Sequence, residues 1–287
     1  MSTDTETQTT TLGRSGLEVS PIAFGTWQLG GDWGRFDERD AIVIATKGGL
    51  RIDDELGQVR DSSPKWLRRG VEGSLQALGI ERIDLYQIHW PDPHTPFAET
   101  AGGLRELVEE GKIAHVGVSN FDAAQMEEFS RTLPVETLQP PYHLFRRDVE
   151  DEVLPYCAAN DIGVLVYGPL AHGLLTGAID EDTDFGDDDW RSDAELFQGE
   201  TLRGNLEVVR RLAEVAERRG CRLSQLAVAW TLAHPAVDVA IVGTRSHEHI
   251  EEALAAAAIE LSDDELAEID RIMADATPAP GPGPEGV

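Results

Sequence analysis

The stretch Ile83-Asp84-Leu85-Tyr86-Gln87-Ile88-His89-Trp90-Pro91 predicts a β-strand that is buried on both faces. It is rich in Ile, Leu, Tyr and Trp and ends at a proline, which is typical of a strand in a parallel sheet. Because strand side chains alternate, His89 shares a face with Gln87 and Leu85, while Tyr86 faces the other way. In barrels of alternating strands and helices, polar residues at the C-terminal end of a strand face the active site. His89 is therefore a candidate functional residue, and a hydrogen-bonded structural histidine is the alternative.

Strands and helices alternate on both sides of this stretch. Ser63 caps a predicted helix that has Pro64 at its first position and Gly79 as its stop. The other predicted parallel strands are residues 21–25, 42–49, 113–118, 135–139, 162–167 and 237–242. With the opening stretch they make seven, which predicts an α/β fold: a TIM-type (β/α) barrel, incomplete at about seven of eight strands, preceded by an N-terminal hairpin at residues 12–19.

The chain is predicted to form one barrel domain over residues 11–275. Residues 1–10 are polar and residues 276–287 are rich in Pro and Gly, so both ends are expected to be disordered. The tail segment 281–286 satisfies the G-x-G-x-x-G dinucleotide pattern as text, but no strand precedes it and no helix follows. A doubly wound dinucleotide-binding domain is therefore disfavoured.

The charge of the chain indicates which partners and which salt conditions suit it. A net charge of −29 and a pI near 4.4 argue against nucleic-acid binding, which requires surplus cations. Acid-rich, lysine-poor surfaces suit salty cytoplasm, because salt screens their self-repulsion. A halophilic source is our hypothesis, and a stability that fails to improve between low salt and molar KCl would contradict it.

The remaining compositional features indicate a cytoplasmic protein. The chain has no apolar run that could cross a membrane, and its polar start lacks the pattern of a secretory signal. Cys157 and Cys221 are too few for a disulfide framework or a metal cluster. The acidic segment 180–189 lacks the spaced ligands of a calcium loop and is interpreted as a solvated loop. No metal site is predicted.

The interval between the first two barrel strands is too short for an ordinary parallel crossover connection. A parallel crossover needs a dozen or more residues and usually a helix, but between Gly25 and Ile42 only residues 36–41 have a helical pattern. One strand and its helices are missing from the regular alternation. The missing strand should leave two sheet edges, so self-association through the gap is possible, and a compact monomer on sizing would contradict it.

The segments together resemble the aldo-keto reductase family. The resemblance lies in residues 12–34, 42–49, 83–92, 117–121 and 168–177, which occur in the family's order, and residues 243–256 fit its adenosine-end helix. These enzymes use NADPH to reduce aldehydes or ketones. By resemblance, Lys47 and His89 correspond to the catalytic lysine and histidine, and a surface lysine is the alternative for Lys47.

The resemblance also implies a set of cofactor-binding residues. Ser119, Asn120 and Gln139 resemble the residues that bind the nicotinamide carboxamide, and Tyr167 resembles the ring on which nicotinamide stacks; a turn and a core tyrosine are the alternatives. Arg245 resembles the guanidinium that holds the 2′-phosphate and favours NADPH, and a surface arginine is its alternative. The other residues implied in NADPH binding are Thr26, Trp27, Gly168, Leu170, Gly173, Gly243, His249 and Glu252. His249 stands where the family has Gln, and Ala253 where it has Asn.

The chain departs from the family at its catalytic centre. The segment that carries the family's catalytic Asp and Tyr is absent, because Ala41 runs straight into Ile42. None of the four tyrosines is a convincing replacement for the missing one. Tyr86 faces the other side of its strand from His89, Tyr142 lies in a loop, Tyr156 lies on a helix, and Tyr167 is assigned to the cofactor. Three possibilities follow: an NADPH-dependent reductase of small-molecule carbonyls with weak or no activity, a non-catalytic NADPH-binding protein, or a non-functional deletion product. Lys47 is also expected to lack its carboxylate, and so to be hydrated or shifted toward neutrality.

Overall fold

The computed structural model describes residues 9–25, 42–53, 55, 57–186, 189–243 and 247–279. The strands are β1 Thr10–Leu12, β2 Leu17–Val19, β3 Ile22–Gly25, β4 Ala45–Gly48, β5 Leu50–Asp53, β6 Gly57–Arg60, β7 Ile83–Ile88, β8 Ile113–Ser119, β9 Thr137–Gln139, β10 Gly163–Tyr167 and β11 Val239–Gly243. The helices are α1 Pro64–Leu78, α2 Phe97–Glu109, α3 Ala123–Ser130, α4 Val153–Ala159, α5 Gly199–Arg219, α6 Leu223–Leu232, α7 His247–Ala256 and α8 Asp263–Met273.

Seven parallel strands form one curled sheet in the order β3-β11-β10-β9-β8-β7-β4. In the part of the chain that the structure describes, β3 pairs only with β11 and β4 pairs only with β7. The predicted incomplete barrel is confirmed, and its two edges are the strands that flank the short interval in the sequence.

The two faces of the sheet carry different cores. Leu12, Leu85, Leu165 and Val239 form a small cluster on the inner face. Tyr86 belongs to the larger core between the sheet and the helices. The predicted alternation along β7 is therefore confirmed.

The N-terminal hairpin packs against the inner cluster. β1 and β2 pair antiparallel, joined by a turn at Gly13–Ser15. Gly13 lies so close to Gly163 that a Cβ on Gly13 would be 2.1 Å from the Gly163 nitrogen. This contact places the hairpin at the start of β10, at the end of the sheet opposite the C-terminal strand ends. The predicted hairpin is confirmed, and β1 begins at the last residue of the segment expected to be disordered.

Two barrel strands are less buried than their sequences indicate. β4 starts only at Ala45, and the side chains of Ile42 and Val43 are 51% and 37% exposed. On β3, Phe24 is 42% exposed. Both strands have a neighbour on one side only within the described residues, so apolar residues that would be covered in a central strand reach the surface here.

The predicted helix signals are present as hydrogen bonds. The Ser63 hydroxyl accepts the Trp66 N–H at the start of α1, and Ser262 and Glu265 form a capping box at the start of α8. α5, with 21 residues from Gly199 to Arg219, ends at Gly220 in the left-handed conformation. None of the described helices is both long enough and apolar enough to span a bilayer.

A second hairpin, β5–β6, was not predicted. It follows β4 directly, and its base is closed by the hydrogen bond from Asp61 N–H to the Gly49 carbonyl at 2.9 Å. Trp66 on α1 donates its indole N–H to the Leu50 carbonyl at 2.9 Å. The hairpin therefore connects the C-terminal end of β4 to the first helix.

The ordered chain extends beyond the predicted domain end at residue 275. The amide of buried Asn205 donates to the Thr277 carbonyl at 3.0 Å and accepts the Thr277 N–H at 2.9 Å. The Ala279 N–H donates to the Phe145 carbonyl at 2.7 Å. Residues 276–279 therefore pack against α5 and the segment after β9.

Candidate active site

The C-terminal ends of five neighbouring strands bring most of the predicted site residues together. The register places Lys47 of β4 beside Gln87 of β7, and Ser119 of β8 beside Gln139 of β9. The strand ends carry Lys47, His89, Ser119, Asn120, Gln139 and Tyr167. Parallel strands end at the same edge of a sheet, which explains why residues far apart in the sequence meet here.

Lys47 and Gln139 are joined by a direct hydrogen bond. The Lys47 Nζ donates to the Gln139 Oε1 at 2.7 Å, although the two residues are 92 positions apart. β7 and β8 lie between their strands, so the lysine side chain reaches across the inner face of the sheet. Because an ammonium group only donates, the amide oxygen must face Lys47 and the amide NH₂ must point away. Sequence reasoning missed this bond and assigned Gln139 to the cofactor alone.

Gly117 of β8 is tightly enclosed by the two strands that flank it. It lies beside Gln87 on one strand and Thr137 on the other. A Cβ on Gly117 would be 2.1 Å from the Thr137 Oγ1 and 3.0 Å from the Gln87 Cγ. No larger residue fits at this position without displacing its neighbours.

Ser119 and Asn120 continue the hydrogen-bond network. The Ser119 hydroxyl donates to the Gln139 carbonyl at 2.6 Å, and the Asn120 N–H donates to the same carbonyl at 3.3 Å. Asn120 has a left-handed φ of 62°, a conformation that Asn tolerates better than most residues. Its side-chain NH₂ donates to the His89 carbonyl at 3.0 Å and to the Ser119 hydroxyl at 3.1 Å.

Tyr167 and His89 complete the group. The Tyr167 hydroxyl donates to the Asn120 Oδ1 at 2.9 Å. His89 directly follows β7, and its N–H donates to the Gly48 carbonyl at 2.8 Å. One network of hydrogen bonds thus connects both predicted catalytic positions with the predicted nicotinamide residues.

The other three tyrosines are placed elsewhere. The Tyr86 hydroxyl is buried against Gly48 and Gly70 on the helix side of the sheet, and this burial raises its pKa. The Tyr142 hydroxyl donates to the Glu150 Oε1 at 2.6 Å; burial, followed by this bond, raises its pKa. Tyr156 lies on α4, and burial raises its pKa as well. Tyr167 is therefore the one tyrosine in the network.

A buried carboxylate supports the turn after His89. Asp92 accepts hydrogen bonds from the Ser62 N–H at 2.8 Å, the His94 N–H at 2.8 Å and the Thr95 hydroxyl at 2.7 Å. Burial by itself raises the pKa of Asp92, but the three hydrogen bonds outweigh it and the pKa lies below its ordinary value. The turn is thereby tied to the start of α1.

The loop after β10 contains Gly168, Leu170 and Gly173 in a tightly folded form. The Leu170 carbonyl accepts the N–H groups of Gly173 at 3.0 Å and Leu175 at 3.1 Å. Ala171, His172 and Gly173 all have positive φ, between 47° and 105°. A run of left-handed residues is costly unless its surroundings hold it.

The end of the acidic segment holds this loop. Arg191 donates from Nη1 to the His172 carbonyl at 3.2 Å, and its guanidinium is paired with Asp189 at 2.6 Å. The same guanidinium lies over the Phe185 ring at 4.5 Å. Phe185 and Asp189 of the predicted solvated loop 180–189 therefore take part in packing through Arg191. Trp190 and Arg191, which follow the acidic run, were the sequence feature that could have predicted this packing.

His143 lies behind the loop. Its ring is 6.1 Å from the His172 ring, which in turn lies 4.8 Å from Trp190. Burial first, and then His172 and Arg146, lower the pKa of His143 well below its ordinary value. His143 is therefore neutral at pH 7.

Among the described residues, the predicted cofactor residues Gly243, His249 and Glu252 take no part in the hydrogen bonds of this network. Gly243 ends β11 beside Gly25, and His249 is exposed on α7. Glu252, also on α7, forms an ion pair with Arg222 at the start of α6. Thr26, Trp27 and Arg245 lie outside the described residues.

Comparison with known proteins gives one consistent result. The model of the Aldo/keto reductase family matches residues 37–274. The aldo-keto reductase YhdN of Bacillus subtilis is 36% identical over 84% of this chain and 86% of its own length. The NADP(+) aldo-keto reductase yakc of Schizosaccharomyces pombe is 33% identical over 80% of this chain and 69% of its own. The structure of a glycerol dehydrogenase from Gluconobacter oxydans superposes with a TM-score of 0.87 at 32% identity, covering 98% of this chain and 100% of that one.

Proposed function

The chain belongs to the aldo/keto reductase family, and on that premise we propose that it is an NADPH-dependent oxidoreductase that reduces aldehydes or ketones weakly. NADPH is preferred because Arg245 follows β11 at the position where the family holds the 2′-phosphate, and because one relative carries NADP(+) in its name. Small-molecule carbonyls are the substrate class that the family suggests.

The residues at the strand ends fit a nicotinamide carboxamide. Gln139 is 5% exposed and its side-chain NH₂ points away from Lys47, while Ser119 and Asn120 supply further donors and acceptors beside it. A carboxamide needs one donor and up to two acceptors, which this group can provide after exchanging its internal bonds. Tyr167 would stack on the ring, and Gly168, Leu170 and Gly173 would lie along the pyrophosphate. When bound, NADPH supplies the hydride.

Weak activity is supported by the placement of the tyrosines. Only the Tyr167 hydroxyl joins the network around Lys47, and its proton is donated to Asn120. The family's proton donor is a tyrosine in the segment that this chain lacks. Loss of a positioned general acid typically costs about 10²- to 10⁴-fold in rate.

A non-catalytic NADPH-binding protein is the second candidate function. It is favoured by the Lys47–Gln139 bond, because that bond uses a predicted catalytic residue to order a predicted cofactor residue. In this case the site would bind NADPH without turning over a carbonyl.

Two measurements separate these functions. Titration with NADPH, followed by tryptophan fluorescence, should saturate, and Arg245→Met should weaken NADPH binding at least tenfold while leaving the weaker NADH binding unchanged. A steady-state assay with 4-nitrobenzaldehyde should then show slow NADPH oxidation. Binding without oxidation favours the second function, and no binding at all identifies a non-functional deletion product.

The two sheet edges are the basis for proposing self-association. Exposed Phe24 on β3 and exposed Ile42 and Val43 before β4 lie at these edges. Pairing with a second copy would cover them, although a charge of −29 opposes association at low salt. Light scattering in molar KCl should show a dimer; a monomer at every salt concentration contradicts the proposal.

A further inference from the structure

We propose that the ammonium group of Lys47 is the proton donor of this chain in carbonyl reduction. This inference rests on the proposed function. It assigns to Lys47 a step that the family carries out with a tyrosine.

The reaction requires one hydride and one proton. The carbonyl carbon accepts the hydride that NADPH supplies as it becomes NADP⁺. The carbonyl oxygen then takes a proton from the Lys47 Nζ, so one N–H bond breaks and one O–H bond forms. The neutral amine that remains is reprotonated by water, which leaves an alcohol and restores the ammonium.

The position of Lys47 is suited to this step. Its Nζ is 2.7 Å from the Gln139 side chain, and the Gln139 carbonyl accepts the Ser119 hydroxyl and the Asn120 N–H. The ammonium is therefore one side chain away from the residues proposed to hold the nicotinamide carboxamide. Hydride and proton must reach the two atoms of one carbonyl group, so their donors have to be this close.

The other hydroxyl groups of the network are less suited to donate. The Ser119 hydroxyl donates its proton to the Gln139 carbonyl and the Tyr167 hydroxyl donates to Asn120. A neutral hydroxyl that gives up its proton leaves an anion behind, whereas an ammonium leaves a neutral amine. An ammonium also stabilises the negative charge that develops on the carbonyl oxygen.

Chemical rescue tests the inference directly. Lys47→Ala is expected to lower kcat for 4-nitrobenzaldehyde by about 10²-fold or more, whereas loss of the bond to Gln139 should weaken NADPH binding by about tenfold at most. Methylammonium should restore part of the lost rate, and tetramethylammonium, which has the same charge but no N–H, should not. Lys47→Arg should be as slow as Lys47→Ala, because a guanidinium keeps its proton. Lys65→Ala, which removes an exposed lysine from α1, is the matched control and should retain the wild-type rate.

A second readout is independent of turnover. The chain has three lysines, Lys47, Lys65 and Lys112, so ¹³C-methylation gives three lysine NMR signals, besides that of the α-amino group, which can be assigned by substituting each lysine in turn. NADPH is expected to shift the Lys47 signal and leave the other two unchanged. Lys112 serves as an internal control. It is paired with Glu72 at 2.7 Å and precedes the first residue of β8, whereas Ser119 and the proposed cofactor site lie at the C-terminal end of that strand.

Several results would overturn the inference. They are a wild-type rate in Lys47→Ala or Lys47→Arg, equal rescue by tetramethylammonium, an unshifted Lys47 signal, or a wild-type protein that binds NADPH but reduces no aldehyde. The last result leaves NADPH binding intact. A failure to bind NADPH would instead overturn the proposed function itself.

Discussion

Replacing Gly117 with alanine is expected to destabilise the protein severely. The new Cβ would lie 2.1 Å from the Thr137 Oγ1 and 3.0 Å from the Thr137 carbonyl oxygen, and Thr137 is fully buried. Overpacking in a core costs about 1–3 kcal/mol, and contact with backbone atoms places this substitution at the upper end. Since Ser119 and Gln139 lie two residues further along the same strands, their alignment should be lost and NADPH affinity should fall as well. Urea unfolding and NADPH titration measure the two effects.

Two further variants serve as controls for this prediction. Gly73→Ala on α1 meets open space, so it should stabilise the protein by about 0.5–1 kcal/mol, because alanine is the better helix former. Adding Thr137→Ala to Gly117→Ala removes the nearest clashing atom and should recover part of the loss. A Gly117→Ala protein as stable as wild type would show that β8 and β9 are not packed as closely as described.

Replacing Asn120 with alanine is expected to damage both stability and cofactor binding. The substitution removes three hydrogen bonds, those with the His89 carbonyl, the Ser119 hydroxyl and the Tyr167 hydroxyl. Each is worth about 0.5–1.5 kcal/mol. Holding alanine at the left-handed φ of 62° also costs about 1–2 kcal/mol. Together these terms predict a loss of roughly 3–6 kcal/mol in unfolding free energy, and a loss of NADPH affinity of at least tenfold.

Asn120→Gly separates the two causes. Glycine adopts the left-handed conformation freely but makes none of the three side-chain bonds. It should therefore unfold at an intermediate denaturant concentration, between wild type and Asn120→Ala, and bind NADPH as poorly as the alanine variant. If all three proteins unfold together, the network does not contribute to stability.

The two faces of the sheet and the ends of the first helix could be predicted from the sequence because they depend on local patterns. Leu85 and Tyr86 lie on opposite faces as the alternation along β7 requires. Ser63 and Pro64 start α1 and Gly79 ends it, because each of these residues satisfies a backbone requirement of a helix end.

The features that were missed depend on contacts between distant residues. The Lys47–Gln139 bond joins residues that are 92 positions apart on strands separated by β7 and β8, and nothing near Lys47 in the sequence shows it. The β5–β6 hairpin was missed because its strands have four residues each, too few for a clear pattern, and β6 contains one apolar side chain, that of Val59. The exposure of Phe24 follows from the position of β3 at the sheet edge, which the composition of the strand does not reveal.

The pairing of the N-terminal segment has a consequence for the order in which the chain folds. β3 is made early during synthesis, but its partner β11 is among the last elements to be made. The hairpin before it similarly waits for Gly163 at the start of β10. Contacts between the two ends of a chain pay their loop-closure entropy late and slow the folding rate. The nascent chain must therefore carry β3 without its partner β11 through most of translation.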